Sequence, residues 1–262
     1  MNGKTTTTSL VGEIMKSYYK KVFIVGNIGT PYTEQVMYTT KDSVTVAEMS
    51  SFQLETIQNF HPKICAVLNI SPDHLDWHKS MENYIAAKMK ITKNQTTDDV
   101  CVLNYEDPCL RGLASFIQCK VLYFSSVHEL KEGIFLNNQK MILRMDGKER
   151  EVCNTDDLML LGRHNYENVM AAVLISYCMN VPLEQIKKSV YNFKGVEHRI
   201  EFVCDKEGVK FYNDSKGTNP DAAIKAVQAM IRPTFLIGGG YDKGADYSEW
   251  IQSFGNKIKK LV

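Results

Sequence analysis

The chain has 262 residues, of which 44% are hydrophobic and 23% charged, and its formal net charge is +1 at pH 7. This composition is typical of globular proteins, and the length allows one large domain or two ordinary ones. The balanced charge argues against a strongly basic nucleic-acid-binding face, and no apolar run approaches the roughly 20 residues that span a bilayer. We therefore expect neither a nucleic-acid partner nor a membrane partner.

Cysteine usage points to a reducing compartment. The seven cysteines are an odd number, none forms a C-x-x-C pair, and Cys65, Cys101, Cys178 and Cys204 lie in apolar stretches. Buried free thiols explain this pattern better than disulfides or a zinc site. The sequence also opens on polar residues, unlike a signal peptide. Together these features predict a cytoplasmic protein.

The first motif in chain order is Asn2-Gly3-Lys4-Thr5, which matches the end of a phosphate-binding loop. Glycine lets backbone N–H groups turn toward phosphate oxygens, Lys4 would place its charge on the β- and γ-phosphates, and the Thr5 hydroxyl would bind Mg²⁺. Apolar residues at helical spacing follow, so a helix N-terminus would point at the same phosphates. The alternative is a threonine-rich helix cap without a ligand.

Three predicted strands each end in a polar residue that suits a ligand site. Asn27 follows the first apolar run, Glu48 closes the second, and His74 follows the third, residues 63–70, which we expect to be a central parallel strand. Open α/β sheets bind ligands at the carboxyl ends of their strands, and a carboxylate there suits Mg²⁺. The alternatives are a turn residue for Asn27 and a solvated strand end for Glu48.

Lys88 lies in a predicted helix at residues 81–92, between small and apolar neighbours. A lysine on a buried helix face has a lowered pKa, and its neutral amine can react with CO₂ to form a carbamate. The alternative is an ordinary surface charge. Lys88 is therefore a candidate for carbamylation.

Further elements complete the first half of the predicted fold. Apolar runs at residues 100–104 and 120–124 predict two more strands, and residues 133–152 have the turn spacing of a small antiparallel meander. Beyond them, Asn165 and Asn168 lie three residues apart at the start of an apolar helix, on the same face. Helix capping explains Asn165 but leaves Asn168 unexplained.

After residue 195 the sequence changes to a hairpin, a helix and a strand with a glycine-rich end. The whole pattern predicts an α/β fold with two domains. Residues 1–195 would form a P-loop ATPase-like central domain with a mainly parallel sheet and the small antiparallel meander. Residues 196–262 would form the start of a Rossmann-like α/β domain.

Taken in order, these stretches resemble the ATP-dependent Mur ligases of peptidoglycan synthesis, and in particular the branch of that family that adds D-glutamate. The strings Gly26-Asn27-Ile28-Gly29-Thr30-Pro31 and Ser50-Ser51-Phe52-Gln53-Leu54-Glu55 are typical of that branch. The resemblance spans nearly the whole chain, and its other parts are Asn2 to Thr5, Asn69 to Asp76, Ala86 to Lys88, His164 to Asn168, His198 to Glu201 and Asn213 to Lys216.

The resemblance implies a reaction and its cofactors. ATP would phosphorylate the terminal carboxylate of UDP-N-acetylmuramoyl-L-alanine, and the amine of D-glutamate would attack the acyl phosphate to give an amide, ADP and phosphate. Such a reaction depends on positioning and on neutralising charge. ATP and two Mg²⁺ ions are the implied cofactors, and a cytoplasmic monomer is the implied form.

The resemblance also implies a role for each matching residue. The catalytic residues would be Lys4, His74 and Lys88. The metal ligands would be Thr5, Glu48, His74 and a carbamylated Lys88. The nucleotide would be bound by Gly3, Lys4, Thr5, Asn165, Asn168, Arg199, Asp214 and Lys216. The substrates would be contacted by Asn27 beside the muramoyl group and by Thr218 and Lys243 beside D-glutamate.

Set against the three-domain pattern of that family, the sequence starts within the phosphate loop and stops within the last domain. We therefore expect the N-terminal UDP-binding domain and part of the C-terminal domain to be lacking. Two alternatives stay open. One is another amide ligase of the same superfamily, such as a folylpolyglutamate synthase, and the other is a nucleotide-binding fragment without catalysis.

Overall fold

The structure, a computed structural model, describes residues 2–241 and 246–262. The chain divides into two compact units, and each is described by itself. Unit 1 consists of Met1–Leu158 and Glu167–Asn192, and unit 2 of Met159–Tyr166 and Phe193–Val262. No helix among the described residues combines the length and apolar character that a membrane span requires.

Helices and strands alternate along most of the described chain. The α-helices are α1 (Lys4–Tyr18), α2 (Tyr32–Gln35), α3 (Ser51–Glu55), α4 (Leu75–His78), α5 (Met81–Met89), α6 (Pro108–Leu113), α7 (Arg163–Cys178), α8 (Leu183–Asn192), α9 (Pro220–Ala229) and α10 (Ser248–Gln252). The strands are β1 (Val22–Gly26), β2 (Val44–Glu48), β3 (Ile64–Val67), β4 (Val100–Asn104), β5 (Lys120–Ser125), β6 (Gly133–Asn137), β7 (Lys140–Met145), β8 (Lys148–Asn154), β9 (Glu201–Lys206), β10 (Val209–Asn213), β11 (Thr234–Leu236) and β12 (Ile258–Leu261).

Unit 1 contains a six-stranded sheet in the order β3-β4-β5-β6-β7-β8. The first four strands run parallel to their neighbours, and β7 and β8 continue the sheet with antiparallel pairings. The tight turn between β7 and β8 places Asp146 and Gly147 at positive φ, as two-residue hairpin turns require. The predicted α/β fold, with a mainly parallel sheet and an appended antiparallel meander, is therefore confirmed.

The place of β3 in this sheet differs from the prediction. β3 lies at the edge of the six-stranded sheet and stops at Val67, whereas a central strand was expected over residues 63–70. β1 and β2 pair with each other in a separate parallel ladder, so β3 has β4 as its neighbour. Past Val67, side chains take over the hydrogen bonding, because Asp107 accepts from the Ile70 N–H at 2.7 Å.

The core of unit 1 follows from its apolar strands and helix faces. Four of the five residues of β4 are buried, as expected of a strand covered on both faces. In α1, Leu10 and Ile14 are four residues apart and fully buried, so one face of that helix is packed into the core. These buried faces fix the ends of the strands, where the candidate functional residues lie.

Unit 2 is built from two small sheets and two helices. β9 and β10 form an antiparallel hairpin, β11 and β12 a parallel pair. α9 begins at Pro220, and the Asn219 side chain accepts from the Ala222 N–H, which stabilises the first turn. Large apolar side chains stay exposed on this unit, including Phe235 and Ile237.

All seven cysteines are free, as the sequence predicts. Cys65, Cys101 and Cys119 pack together in the core of unit 1, and the Gln95 side-chain oxygen accepts from two of them. The expectation of burial is wrong for Cys204, which is exposed, because most side chains of β9 face solvent.

Candidate functional site

The phosphate loop leads directly into α1. Gly3 precedes the helix with φ of 86° in the left-handed region, which glycine adopts without strain. A Cβ atom at this position would lie 2.0 Å from Oδ1 of Asn168, so the loop has room for glycine alone. Because Gly3 has no side chain to cap α1, the first N–H groups of a 15-residue helix remain suited to an anion.

The loop is held by a residue to which the sequence analysis assigned no role. Asn69 follows β3, and its side chain accepts from the Asn2 N–H at 2.9 Å and donates to the Asn2 carbonyl at 3.0 Å. The side-chain amide of Asn69 therefore makes the same two hydrogen bonds to the Asn2 backbone that a neighbouring β-strand would make. Its position just past a strand end was the available signal, because open α/β sheets place functional residues there.

Glu48 ends β2 in a position that suits a cation. Its side chain is buried, and Asn27 donates from Nδ2 to Oε1 at 2.9 Å. The second oxygen, Oε2, is also buried and has no hydrogen-bond partner among the described residues. A buried carboxylate oxygen without a donor is costly unless a ligand satisfies it, so this group fits a hard metal ion. Asn27 thus orients Glu48.

His74 occupies a conformation that few side chains adopt. Its φ is 52°, in the left-handed region, and α4 begins immediately after it. Its ring packs against Phe52, with centroids 4.9 Å apart, and its Nε2 lies 3.6 Å from a carboxylate oxygen of Asp73. About half of the side chain is exposed. A strained residue with an accessible ring nitrogen is consistent with a metal ligand.

Lys88 is 4% exposed, so of the two alternatives that the sequence left open, a buried helix face and a surface charge, the structure shows the buried face. Burial lowers the pKa of its amine to about 8, the positive charge of Lys4 lowers it further, and Asp73 opposes both. Its Nζ also lies 4.6 Å from the centre of the Tyr84 ring. At pH 7 about one tenth of this amine is uncharged, far more than for a lysine of ordinary pKa, so its chemistry fits carbamate formation.

These residues do not by themselves make a preformed metal cage. Over residues 2–241 and 246–262, no group of three or more His, Cys, Asp or Glu side chains is arranged to hold a metal ion. The predicted metal ligands include other kinds of donor, because Thr5 would supply a hydroxyl and Lys88 a carbamate. The assignment of metal to Thr5, Glu48, His74 and Lys88 therefore stays a prediction.

The two asparagines of α7 have separate surroundings. Asn165 is buried, and its Nδ2 donates to the Leu161 carbonyl at 2.8 Å. Asn168 is buried too, and its side-chain oxygen faces Gly3 of the phosphate loop. The Asn165 bond ties the start of α7 to the preceding loop, and because the side chain donates here to a carbonyl, the capping explanation of Asn165 stays a prediction. The structure explains the burial of Asn168 by its contact with the loop, and its assignment to adenine stays a prediction.

In unit 2 the predicted residues surround Asp214. Its Oδ1 accepts from the Ile200 N–H at 3.0 Å, and its carbonyl accepts from the Gly217 N–H at 2.8 Å. Burial raises the pKa of Asp214, while the Ile200 N–H and the charge of Arg199 oppose that shift. The Lys216 N–H donates to the His198 carbonyl. The structure therefore brings Arg199, Asp214 and Lys216 together.

The predicted D-glutamate residues are less well defined. Thr218 is exposed, and its N–H donates to the Lys216 carbonyl at 3.0 Å. Lys243 lies outside the described residues. The assignment of both to a substrate stays a prediction.

Comparisons with known proteins place this geometry in a family. Residues 1–176 match the model of the Mur ligase middle domain. The chain is 60% identical over 261 residues to a UDP-N-acetylmuramoylalanine–D-glutamate ligase of Lachnoclostridium phytofermentans, and 51% identical over 262 residues to one of Lachnospira eligens. Each match covers 100% of this chain and 58% of the relative, so the chain spans less than two thirds of the length of these curated relatives.

A solved structure shows the same fold at low sequence identity. The MurF ligase of Thermotoga maritima in complex with ADP superposes with a TM-score of 0.67 and is 18% identical in sequence. The match covers 100% of this chain and 69% of that one. Similarity at this level supports the fold alone.

Proposed function

Because the chain belongs to the Mur ligase family, we propose that it contributes the ATP-binding site of an amide ligase that joins D-glutamate to UDP-N-acetylmuramoyl-L-alanine. The observation that carries the proposal is the 60% identity, over the whole chain, to a protein named as that ligase. The left-handed Gly3, which precedes Lys4 and leaves the start of α1 without a side-chain cap, supports the ATP site.

The phosphates of ATP would lie at the N-terminus of α1. Backbone N–H groups after Gly3 would donate to phosphate oxygens, and Lys4 would neutralise their charge. Asn69 and Asn168 would keep the loop in its open form, the first through its bonds to Asn2 and the second by its contact with Gly3. In this proposal Lys4 and the backbone of α1 bind phosphate, whereas Asn69 and Asn168 hold the loop in its conformation.

Glu48, His74, Thr5 and a carbamylated Lys88 would hold two Mg²⁺ ions. A bound Mg²⁺ ion supplies positive charge that stabilises the transferring phosphoryl group and the acyl phosphate. The chain's own contribution is to present oxygen donors in a partly buried place, with Asn27 orienting Glu48. Carbamylation would convert Lys88 from a cation into an oxygen donor, which a hard cation prefers.

The residues of unit 2 would serve the nucleotide and the incoming amino acid. Arg199, Asp214 and Lys216 would contact the ribose and phosphates of ATP, and Thr218 and Lys243 would contact D-glutamate. Asn165 and Asn168 would face the adenine, and Asn27 would lie near the muramoyl group. ATP would transfer its γ-phosphoryl group to the terminal carboxylate of UDP-N-acetylmuramoyl-L-alanine and leave as ADP. The amine of D-glutamate would then attack the acyl carbon, with loss of phosphate and of a proton, to give the amide. Positioning of the reactants would supply a large part of the acceleration.

The test is ATP-dependent amide formation by the purified protein with UDP-N-acetylmuramoyl-L-alanine and D-glutamate, followed by product mass and ADP release. We expect ATP binding in equilibrium dialysis that a Lys4→Ala substitution weakens, and any amide product to form with D-glutamate and not with L-glutamate. Turnover of folate substrates, with none of the muramoyl substrate, would contradict the proposal. Absence of turnover together with absence of ATP binding in equilibrium dialysis would contradict it as well.

A further inference from the structure

A buried polar cluster in unit 1 has no part in the proposed reaction. We call Ser51, His78 and Glu55 the histidine clamp. The His78 ring lies between the other two side chains, with Nε2 at 3.0 Å from Oγ of Ser51 and Nδ1 at 3.4 Å from a carboxylate oxygen of Glu55. The His78 side chain is fully buried, Ser51 is 3% exposed, and the Glu55 side chain is about one third exposed.

A serine, a histidine and a carboxylate in this order also occur in hydrolases, where the serine is the nucleophile. Burial excludes that role here, because no substrate can reach the Ser51 hydroxyl from solvent. The Nδ1 atom of His78 is likewise buried and makes no good hydrogen bond to any described residue. A buried polar side chain of this kind destabilises the fold, so its presence calls for another explanation.

Aromatic contacts hold the imidazole on its remaining sides. The Phe52 ring is stacked on His78, with centroids 5.6 Å apart and planes 17° apart. The Tyr84 ring packs at 5.3 Å. Phe52 also contacts the His74 ring. The position of His78 is therefore fixed by the contact of its Nε2 with Ser51, by the nearby Glu55 carboxylate and by ring packing.

The clamp joins the two chain segments that carry predicted metal ligands. Ser51 and Glu55 are the first and last residues of α3, which follows Glu48 closely in the chain. His78 is the last residue of α4, and its N–H donates to the His74 carbonyl at 3.0 Å. The clamp thus connects the helix after Glu48 to the helix that begins at His74.

The helix that carries His74 needs such support. α4 has four residues and lies between two left-handed residues, His74 with φ of 52° and Lys79 with φ of 67°. Left-handed backbone at residues other than glycine is strained and persists where surrounding contacts over-determine it. The contacts of His78 with Ser51, Glu55 and Phe52 provide that constraint.

We propose that His78 is a positioning residue, which fixes His74 relative to Glu48 and so sets the affinity of the site for its metal. The inference rests on the proposed function, because it takes Glu48 and His74 as metal ligands. His78 is not among the residues proposed to contact substrate or metal. His78 supports the metal ligand His74 from outside the metal site. Loss of one such supporting contact lowers metal affinity about 10–100-fold.

A solvent-open cavity of about 400 Å³ beside the clamp provides an independent probe. Glu55, Trp77 and His78 line it, together with Asn83. Its polar groups are already used within the chain, since Trp77 Nε1 donates to Glu55 at 3.0 Å and Asn83 Nδ2 donates to the His78 carbonyl at 2.9 Å. The cavity therefore needs no ligand, but it gives free imidazole a route to the space that a small residue at position 78 would leave.

The experiment is a titration of the protein with Mn²⁺ alone, followed by electron paramagnetic resonance of the free ion, and ATP is left out because it binds Mn²⁺ itself. His78→Phe keeps the aromatic packing and removes both polar contacts, so its dissociation constant for Mn²⁺ should rise about 10–100-fold. His78→Gln keeps an amide that can reach Ser51, and its change should stay below about threefold. His61→Phe is the matched control, because His61 also contacts a carboxylate, at 2.6 Å in Asp99, outside the site.

Rescue separates a positioning role from a general structural one. Addition of imidazole to a His78→Gly variant should restore Mn²⁺ affinity to within about fivefold of the unchanged protein, whereas the same concentration should leave His61→Gly unaffected. A merely structural role would lower the melting temperature of His78→Phe and leave its Mn²⁺ affinity intact. Should His78→Phe fail to fold, Ser51→Ala decides in its place, with an expected loss of about tenfold.

The outcomes distinguish the inference from the function on which it rests. Mn²⁺ binding that Glu48→Gln abolishes and that His78→Phe leaves within twofold would overturn the inference alone. Absence of Mn²⁺ binding by the unchanged protein, or binding that survives Glu48→Gln, would overturn the proposed metal site itself.

Discussion

The two units of the chain hold their candidate residues by different means. In unit 1, four of the five residues of β4 are buried, and Gly3, Glu48 and Lys88 are placed by packed strands and helices. In unit 2, five of the six residues of β9 are exposed, and Asp214 is held by a few hydrogen bonds around it. Apolar burial stabilises the first arrangement, and local polar contacts the second.

The contrast implies that the units differ in local stability. Hydrogen exchange and proteolysis report opening of regions with few buried apolar contacts, and such regions are also those that move during function. We therefore expect unit 1 to supply a rigid phosphate and metal site, and unit 2 to supply residues whose positions adjust more easily. The following predictions test that contrast, from the largest expected effect to the smallest.

The largest effect should come from core truncation. Leu103→Ala in β4 removes a fully buried side chain, and should lower the free energy of unfolding of unit 1 by about 3 kcal/mol. Leu261→Ala in β12 is the matched control, because Leu261 is 42% exposed, and should cost about 0.5 kcal/mol or less. Urea denaturation measures both.

The two tryptophans allow each unit to be followed separately. Trp77 lies in unit 1 and Trp250 in unit 2, so replacement of one by phenylalanine leaves a fluorescent probe of the other. Separate transitions would justify separate free energies. If Leu103→Ala in unit 1 and Leu261→Ala in unit 2 lowered the free energy of unfolding equally, the expected difference between the two units would be contradicted.

A second prediction concerns nucleotide affinity. Lys4→Ala should weaken ATP binding by about 2 kcal/mol, roughly 30-fold, because a charge-assisted contact at a rigid helix start is lost. Lys216→Ala should weaken it by about threefold, since Lys216 is exposed and follows a loop. Isothermal titration calorimetry measures both, and Lys16→Ala at the other end of α1 serves as control. A larger loss for Lys216→Ala would reverse the assignment of the stronger phosphate contact.

A third prediction concerns the polar framework of unit 2. Asp214→Ala removes the acceptor of the Ile200 N–H, and Ile200 has φ of 47°. The variant should lower the stability reported by Trp250 by about 1 kcal/mol and leave that reported by Trp77 unchanged. Asp214→Asn keeps an acceptor oxygen and should cost less. Full stability of Asp214→Ala would show that this hydrogen bond does not organise the unit.

The smallest effect should appear at one amine. The pKa of Lys88 is about 8, below its usual value of about 10.4, so the neutral form grows as pH rises through about 8. At a fixed pressure of ¹³C-labelled CO₂, a carbamate resonance should increase between about pH 7 and pH 9 and be absent in Lys88→Arg. Lys93→Arg, at an exposed lysine, is the control.

The same shift has a consequence for stability. Between about pH 8 and pH 10.4 the unfolded chain keeps the Lys88 proton that the folded chain has lost, so the unfolding free energy should rise with pH over that window. The rise should vanish in Lys88→Met. A flat profile in the unchanged protein would show that Lys88 is as solvated when folded as when unfolded.

Much of this architecture could be predicted from local patterns. The strands were predicted from apolar runs. Glu48 and His74 were predicted as site residues because each lies at the end of such a run or just after it. For Lys88 the neighbouring residues raised burial as one of two alternatives, and the side chain is buried. These features depend on neighbours in sequence, which a single chain displays directly.

What escaped prediction depends on contacts between distant segments. Asn69 pairs with Asn2, and His78 reaches Ser51, through packing that no local pattern encodes. The edge position of β3 also depends on which strands pair, and hydrophobicity alone does not decide that. Exposure of Cys204 likewise follows from a sparsely covered hairpin and not from its apolar neighbours.

The contact between Gly3 and Asn168 bears on how the molecule comes into being. The phosphate loop emerges from the ribosome before α7, yet the side chain that contacts it, Asn168, belongs to that later helix. Domains begin to fold while synthesis continues, so the phosphate loop cannot reach its final packing until α7 has been synthesised. A nascent chain arrested before Asn168 should thus be unable to retain ATP. The ability to bind ATP should appear only once α7 is complete.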